Sequence, residues 1–184
     1  ATRAAVFAAP LAGTDTPSAA QPITPTTTAG GGTDTLKLRG SNASVTFTLT
    51  TANVENVDAS ALTATTLILT GTAAANVLTG NNNNNTINGG NGNDTIFGLG
   101  GNDTLNGDAG NDVISGGDGG DTISGGAGFD NMTGGTGIDR FVFGSAIADI
   151  GTAPGSRDAI TDFDVTLGTG DLLDLSAIDG NSTA

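Results

Sequence analysis

A nine-residue register constrains the fold more than any other feature of this sequence. It begins at Gly71 and continues through Val142 without insertion or deletion. Glycine is first in each of the eight units, at positions 71, 80, 89, 98, 107, 116, 125 and 134. The eighth position is always apolar, as Leu78, Ile87, Ile96, Leu105, Ile114, Ile123, Met132 and Phe141. The sixth is Asn76 and Asn85, then Asp94, Asp103, Asp112, Asp121, Asp130 and Asp139. Such regular repetition predicts a solenoid, in which each repeat packs only against its neighbours.

Each unit divides into a longer turn and a short strand. Glycine adopts positive φ without a steric penalty, so the glycine-rich part can turn tightly. In a strand such as Thr95-Ile96-Phe97 the middle side chain points inward and the other two point outward. Most outward positions are polar, whereas Phe97, Val113 and Val142 are apolar exceptions that the pattern does not explain. Where the coils of such a solenoid stack, equivalent Asp residues would lie about 4.8 Å apart.

The composition restricts the ligands and partners that such stacked carboxylates could have. The chain has a net charge of -14, five basic residues and neither His nor Cys. Nucleic acid is therefore a poor partner, and thiolate or imidazole metal sites are excluded. No apolar stretch reaches the roughly 20 residues needed for membrane insertion. Hard cations that prefer oxygen remain, above all calcium, which would convert repulsion between neighbouring carboxylates into bridging.

The register resembles the RTX, or haemolysin-type, calcium-binding nonapeptide repeat G-G-x-G-x-D-x-U-x. The units that begin at Gly89, Gly116, Gly125 and Gly134 match every fixed position. Leu99 and Asp108 replace the second Gly of their units, and the first two units lack that Gly, the fourth-position Gly and the Asp. The resemblance implies an all-β fold, a right-handed parallel β-roll (a β-solenoid) with two nonapeptide units in each coil.

The resemblance also implies which oxygens bind calcium. Each ion would take the carbonyls of positions two and four plus the Asp of one unit, and the carbonyls of positions one and three plus the Asp of the equivalent unit in the next coil. Four sites follow, namely Gly90, Gly92 and Asp94 with Gly107, Ala109 and Asp112; Leu99, Gly101 and Asp103 with Gly116, Asp118 and Asp121; Asp108, Gly110 and Asp112 with Gly125, Ala127 and Asp130; Gly117, Gly119 and Asp121 with Gly134, Thr136 and Asp139. A fifth, pairing Asn81, Asn83 and Asn85 with Gly98, Gly100 and Asp103, lacks one carboxylate because Asn85 carries no charge.

The flanks differ from the repeats in composition. Residues 1–32 are rich in Pro, Thr and Gly and are predicted to be a disordered linker. Residues 33–70 alternate apolar and polar side chains and are predicted to form an N-terminal β flank, followed by the roll at 71–142. Residues 143–184 form an incomplete C-terminal flank. Its segments "ITDF" and "DLLDLS" resemble the stretch that follows the repeats in serralysin-type proteases and alginate epimerase modules, which implies capping strands.

These observations favour a calcium-binding module over an enzyme. The sequence has no HExxH or GxSxG motif and no His, and the regularly placed Asp residues already have a metal role, so no catalytic residue is predicted. One inward apolar side chain per unit offsets too little of the conformational entropy that is lost when the repeats become ordered. We therefore expect the roll to fold only with calcium.

The resemblance places the module in a larger secreted bacterial protein, extracellular or at the cell surface. It implies export by type I secretion machinery before folding. Two alternatives stay open: a calcium-dependent adhesin or surface-layer module that self-associates, and the non-catalytic C-terminal domain of a secreted hydrolase or epimerase. A chain that starts without Met and ends within a strand pattern is also expected to be part of something longer.

Overall fold

A computed structural model describes residues 4–8, 33–39, 44–49, 54–144 and 157–177. Within these ranges the regular secondary structure is entirely β-strand. The strands are β1 (Ala4–Ala8), β2 (Thr35–Arg39), β3 (Ser44–Thr48), β4 (Asn56–Asp58), β5 (Thr66–Thr70), β6 (Val77–Thr79), β7 (Asn85–Asn91), β8 (Thr95–Gly100), β9 (Thr104–Ala109), β10 (Val113–Asp118), β11 (Thr122–Ala127), β12 (Asn131–Thr136), β13 (Arg140–Val142), β14 (Ala159–Ile160) and β15 (Leu172–Asp174).

The strands form two parallel sheets, and from β3 to β15 the chain alternates between them. One sheet has the order β1-β2-β4-β6-β8-β10-β12-β14, and the other has the order β15-β13-β11-β9-β7-β5-β3. One coil therefore contributes one strand to each sheet. The predicted all-β fold, a right-handed parallel β-roll flanked by strands on both sides, is confirmed.

The length of a coil changes along the solenoid. Thr95 pairs with Val113 and Thr104 pairs with Thr122, so each repeat coil spans two nonapeptide units, as predicted. Before the repeats the coil is longer: Thr35 pairs with Asn56, 21 positions later. After them, β14 and β15 pair in parallel with β12 and β13, with Asn131 opposite Ala159 and Arg140 opposite Leu172. The flanks thus continue the same two sheets with different turns.

The core is a column of inward apolar side chains between the two sheets. All eight eighth-position residues of the repeats have no exposed surface, as predicted. Of the seven apolar residues whose alternation predicted strands in the N-terminal flank, Val45 is only partly buried against the core, and the other six are buried: Leu36, Leu38, Phe47, Leu49, Leu67 and Leu69. Phe97 and Val113 point outward, with 37% and 48% of their surface exposed. Alternation along the strand fixes their direction irrespective of their polarity.

The strand β1 lies inside residues 1–32, for which the sequence predicted a disordered linker. Its five residues pair in parallel with β2, from Ala4 opposite Thr35 to Ala8 opposite Arg39. The segment "AAVFA" is apolar, unlike the Pro-rich and Thr-rich stretch after it, and this fits a strand at the edge of a sheet. The linker assignment therefore does not hold for these residues. The rest of 1–32 lies outside the described residues.

Candidate metal sites

The sixth-position residues of the repeats form two buried rows, one along each edge of the roll. Each of the six Asp residues is at most 2% exposed. The backbone N–H of each sixth-position residue donates to Oδ1 of its equivalent in the next coil. Asp94 donates to Asp112 at 2.7 Å, and Asp103 donates to Asp121 at 2.8 Å. One carboxylate oxygen of each of these Asp residues thus links two coils.

The second carboxylate oxygen is the clearest chemical anomaly in the structure. In Asp94, Asp103, Asp112, Asp121 and Asp139, Oδ2 is buried and has no hydrogen-bond partner. A buried carboxylate oxygen without a donor or a cation is strongly destabilising, and native proteins rarely tolerate one. The recurrence of the same anomaly at one position of successive units indicates that a cation belongs beside these oxygens.

Burial also disturbs the protonation of these groups. Desolvation raises the pKa of Asp112 to about 7, and the neighbouring carboxylates of Asp130, Asp94 and Asp108 add to the increase. Desolvation raises the pKa of both Asp103 and Asp121 to about 6, although the backbone N–H bond that each accepts lowers the pKa. The pKa of Asp94 and of Asp139 is raised for the same first reason. Without a cation, the protein environment therefore disfavours the charged carboxylates.

The first glycine of each unit leaves space beside the unpaired oxygen. A methyl group added to Gly89 would lie 2.5 Å from Oδ2 of Asp94 and 2.7 Å from the carbonyl oxygen of Gly107. Both oxygens therefore border the same small space, which a side chain would fill. The same arrangement brings Asp103 to Gly116, Asp112 to Gly125 and Asp121 to Gly134. In each of the four predicted sites, the structure thus brings together the Asp of one unit and the first-position carbonyl of the equivalent unit in the next coil.

The second and fourth positions of the predicted sites share a backbone conformation. All eight residues at these positions have positive φ: Gly90, Gly92, Leu99, Gly101, Asp108, Gly110, Gly117 and Gly119. The two non-glycine residues among them, which depart from the repeat pattern, also have positive φ: 87° at Leu99 and 73° at Asp108. Non-glycine residues are strained in this region. The turn geometry is therefore maintained even where its sequence is unfavourable.

The third-position carbonyls already accept backbone hydrogen bonds. Gly92 N–H donates to the carbonyl of Ala109 at 2.7 Å, and Gly101 N–H donates to that of Asp118 at 2.8 Å. Ala127 and Thr136 accept equivalent bonds. A carbonyl oxygen has a second lone pair for a cation. Within the described ranges, no three acidic, His or Cys side chains converge as a metal-binding group, so these sites would depend on main-chain oxygens for most of their ligands.

The repeats match a known protein family. Residues 70–141 match the model of the RTX calcium-binding nonapeptide repeat in three overlapping segments, 70–105, 97–132 and 106–141. These residues are RTX calcium-binding nonapeptide repeats. RTX repeats bind calcium in β-rolls that serve as structural modules, and RTX proteins are typically secreted. No curated protein and no solved structure matches the chain. In the described part of the chain, the structure contains no candidate for a membrane-spanning helix.

The RTX carboxylate rows extend past the last repeat, which the sequence analysis did not foresee. The backbone N–H of Asp130 donates to Oδ1 of Asp158 at 3.0 Å, and that of Asp139 donates to Oδ1 of Asp171 at 3.0 Å. Asp158 and Asp171 immediately precede β14 and β15, as each repeat Asp precedes its strand. Their separations of 28 and 32 residues hide this equivalence from a search at a fixed period. The local pattern of Asp followed by a strand was the available signal.

A second polar row runs along the outside of the RTX turns at the fifth position. The side-chain Oδ1 of Asn93 accepts the backbone N–H of Asn111 at 2.9 Å, and Asn111 accepts that of Phe129 in the same way. Asn84 and Asn102 make the equivalent bonds on the other edge. Asparagine occupies this position in four consecutive units, so the sequence carried a signal for this row. These bonds tie each coil to the next without a metal.

Proposed function

We propose that the RTX roll holds about four calcium ions between successive coils, with the four ligand sets given above. One observation carries this proposal: the buried Oδ2 atoms of Asp94, Asp103, Asp112 and Asp121 each face a glycine carbonyl of the next coil across a space that has no side chain. Calcium prefers carboxylate and carbonyl oxygens and accepts irregular coordination. It would supply the positive charge that the surrounding residues do not provide.

The sequence led us to expect calcium-dependent folding of the whole roll, residues 71–142; we now propose that calcium binding and folding form one event only in its Asp-bearing part, residues 89–142. Without a cation, folding would bury charged carboxylates that have few compensating donors. The core of these coils, with one inward apolar side chain in each unit, compensates for only part of the cost of ordering. The free energy of calcium binding would therefore contribute directly to the free energy of folding.

We infer that this chain is a non-catalytic module of a larger secreted bacterial protein. The module would pass through a type I exporter unfolded, where calcium is scarce, and fold at extracellular calcium levels. The secreted character of RTX proteins supports this setting, and the calcium-dependent roll gives it a mechanism. The proposed roll comprises residues 71–142, with β flanks at 33–70 and 143–184.

A calcium titration of the full chain tests the proposal. Isothermal titration calorimetry should give about four ions per chain, and the β signal in circular dichroism should increase over the same calcium range. Magnesium serves as the control, because its demand for small octahedral sites should prevent it from replacing calcium. An unchanged β spectrum in excess EGTA, together with no calcium uptake, would contradict the proposal.

A further inference from the structure

Asn85 occupies, in its own coil, the place that an Asp occupies in the calcium-binding coils. Its Nδ2 donates to the carbonyl of Gly98 at 3.2 Å, to Oδ1 of Asp103 at 2.9 Å and to the carbonyl of Asn81 at 3.0 Å. These three acceptors belong to the fifth ligand set, which lacked one carboxylate. The amide therefore supplies hydrogen-bond donors to oxygens that a cation would otherwise bridge.

The first glycine of this unit shows the equivalence in space. A methyl group on Gly80 would meet the carbonyl of Gly98 at 2.7 Å and Nδ2 of Asn85 at 2.9 Å. At Gly89 the corresponding neighbours are the carbonyl of Gly107 and the unpaired Oδ2 of Asp94. We call this space beside the first glycine of a unit the cradle. It contains an N–H donor in the unit of Gly80 and an unpaired carboxylate oxygen in the unit of Gly89. Only the second arrangement requires a cation.

Asn76, at the same position on the other edge, is also satisfied without metal. Its Nδ2 donates to the carbonyl of Glu55 at 2.8 Å, and its Oδ1 accepts the backbone N–H of Thr72 at 2.7 Å. Among the described residues before Asp94, every buried side-chain oxygen and nitrogen has a hydrogen-bond partner. The unsatisfied oxygens begin with the first Asp of the repeats.

The coils before Asn85 also have a larger apolar core. Each of β2 and β5 contributes two buried apolar side chains, Leu36 with Leu38 and Leu67 with Leu69, where each repeat strand contributes one. The longer turns add further buried residues, including Val54 and Leu62. Burial of aliphatic side chains does not depend on calcium and favours folding by about 2 kcal/mol for each large residue.

From these contacts we propose that Asn85 replaces a calcium ion at the junction between the N-terminal coils and the first Asp-bearing coil. Residues 33–88 then fold without calcium and present the open edges of β6 and β7 as a template. The calcium-dependent coils add to this template in the order of the chain. Template assembly avoids nucleating a solenoid from an entirely unfolded chain. This inference rests on the proposed calcium-dependent folding of residues 89–142.

Hydrogen–deuterium exchange of the full chain, with and without calcium, tests the template. In EGTA, we expect amides of β4 to β7 to exchange at least a hundredfold more slowly than those of β10 to β13. In millimolar calcium both regions should be protected. If both regions exchange equally fast in EGTA and calcium protects both, the template is overturned and the calcium-dependent folding stands. If both are protected equally in EGTA, the calcium-dependent folding fails and the template role fails with it.

Two substitutions test Asn85 itself. Asn85→Asp removes the amide donors and completes a fifth carboxylate set, so in EGTA the amides of β5 and β7 should exchange at least tenfold faster. In calcium it should bind one more ion than the wild-type chain after a shift of this turn, because Asn81 and Asn83 lack the positive φ of the equivalent residues in the other four sets. Asn85→Ala should show the faster exchange without the additional ion.

The matched control is Asn82→Asp, which adds the same charge to an exposed position in the same turn and should change neither measurement. Wild-type exchange and wild-type stoichiometry in Asn85→Asp would overturn the role of this amide.

Discussion

The N-terminal coils and the calcium-binding coils of this solenoid share two sheets but are stabilised differently. Before the repeats, equivalent positions lie 21 residues apart (Thr35 and Asn56) or 22 residues apart (Ser44 and Thr66), and β2 and β5 each bury two apolar side chains; we propose that this burial stabilises residues 33–88 without calcium. In residues 89–142, the 18-residue coil has glycine-rich turns, and buried carboxylates lie inside them. The comparison predicts that one backbone architecture is stable on its own or only with a ligand, according to what fills its turns.

The largest effect expected in the calcium-binding coils is that of Asp112→Asn. Asp112 belongs to two of the four proposed ligand sets, and asparagine can keep the bond from the N–H of Asp94 while losing the charge. Calorimetry should show about two ions fewer, and the loss of two well-occupied sites would lower the calcium-bound stability by roughly 5 kcal/mol. The N-terminal coils should keep their exchange protection.

Asp118→Asn is the control for that experiment. Asp118 contributes only its main-chain carbonyl to a proposed ligand set, which the substitution keeps; its carboxylate is exposed and accepts a hydrogen bond from the hydroxyl of Thr136 at 2.8 Å. The number of bound ions should remain at the wild-type value. An equal loss of ions in both variants would show that overall charge, rather than the cradle, governs binding.

Truncation of a buried side chain should lower the stability of the two regions differently when calcium is absent. Leu69→Ala and Ile114→Ala each remove a fully buried side chain and should each cost about 3 kcal/mol in calcium. In EGTA only Leu69→Ala should have an effect, because we expect the strand around Ile114 to be unfolded there already. Thermal unfolding followed by circular dichroism in both conditions gives the comparison. A strong effect of Ile114→Ala in EGTA would show that the repeats retain a core without calcium.

Filling one cradle should remove one ion. In Gly107→Ala, the added methyl group would collide with Oδ2 of Asp112 and the carbonyl of Gly125. We expect the loss of one site and about 3 kcal/mol of calcium-bound stability, as judged by calorimetry and thermal unfolding. Gly100→Ala is the control, since its methyl group would make ordinary contacts of 3.7–3.8 Å with Asn82. A full complement of ions in Gly107→Ala would place the calcium elsewhere.

Acid should partly substitute for calcium in the repeats. The pKa values of Asp112 (about 7) and Asp103 (about 6) lie above the unfolded value of about 4. The metal-free fold therefore binds protons more tightly than the unfolded chain, so these groups stabilise it fully below about pH 4 and lose their effect as the pH rises to 6–7. In EGTA, lowering the pH from about 7.5 to 4.5 should increase the exchange protection of residues 89–142. In calcium the same change should reduce ion binding, because protons compete for the carboxylates.

The N-terminal coils should show the opposite sign. A hydrogen bond from the hydroxyl of Ser60 lowers the pKa of Asp58, so its contribution is present above the unfolded pKa and is lost as the pH falls through the folded value. The effect should be slight, because this carboxylate is partly exposed. Increased protection of both regions in acid would contradict the distinction between them.

The smallest effect concerns the two strained turn residues. Leu99→Gly and Asp108→Gly keep the main-chain carbonyl and remove a side chain from a position with positive φ. Each should raise the calcium-bound stability by about 1 kcal/mol, since relief of strain slightly exceeds the entropy that glycine gains in the unfolded chain. Thermal unfolding in calcium measures the gain, and a loss of stability would mean that the side chain makes a useful contact.

The sequence was sufficient to predict the features that repeat at a fixed distance. The apolar eighth position predicted the buried column around Ile96 and Ile114, and the resemblance to RTX repeats implied two units in each coil; both are confirmed. The ligand sets remain predictions, although the structure brings their Asp and first-position carbonyls together. A periodic pattern predicts this much because every unit repeats the same physical constraint.

Features that depend on geometry between coils were missed. The role proposed for Asn85 depends on the direction of its Nδ2 toward the carbonyl of Gly98, which a missing charge in the sequence does not show. Asp158 and Asp171 join the carboxylate rows at irregular spacing, because the chain between repeats and final strands varies in length. The strand β1 was missed because tertiary pairing ordered a segment that composition placed in a linker.

The final strands also require an even number of nonapeptide units to be added or removed before them. Asp158 continues one carboxylate row and Asp171 the other, so each is matched to a particular sheet. Duplication of a pair of units would lengthen the molecule and return the chain to the same sheet, whereas duplication of a single unit would deliver both closing strands to the wrong side. Nonapeptide units are therefore expected to be gained or lost in pairs, that is, as whole coils, during evolution.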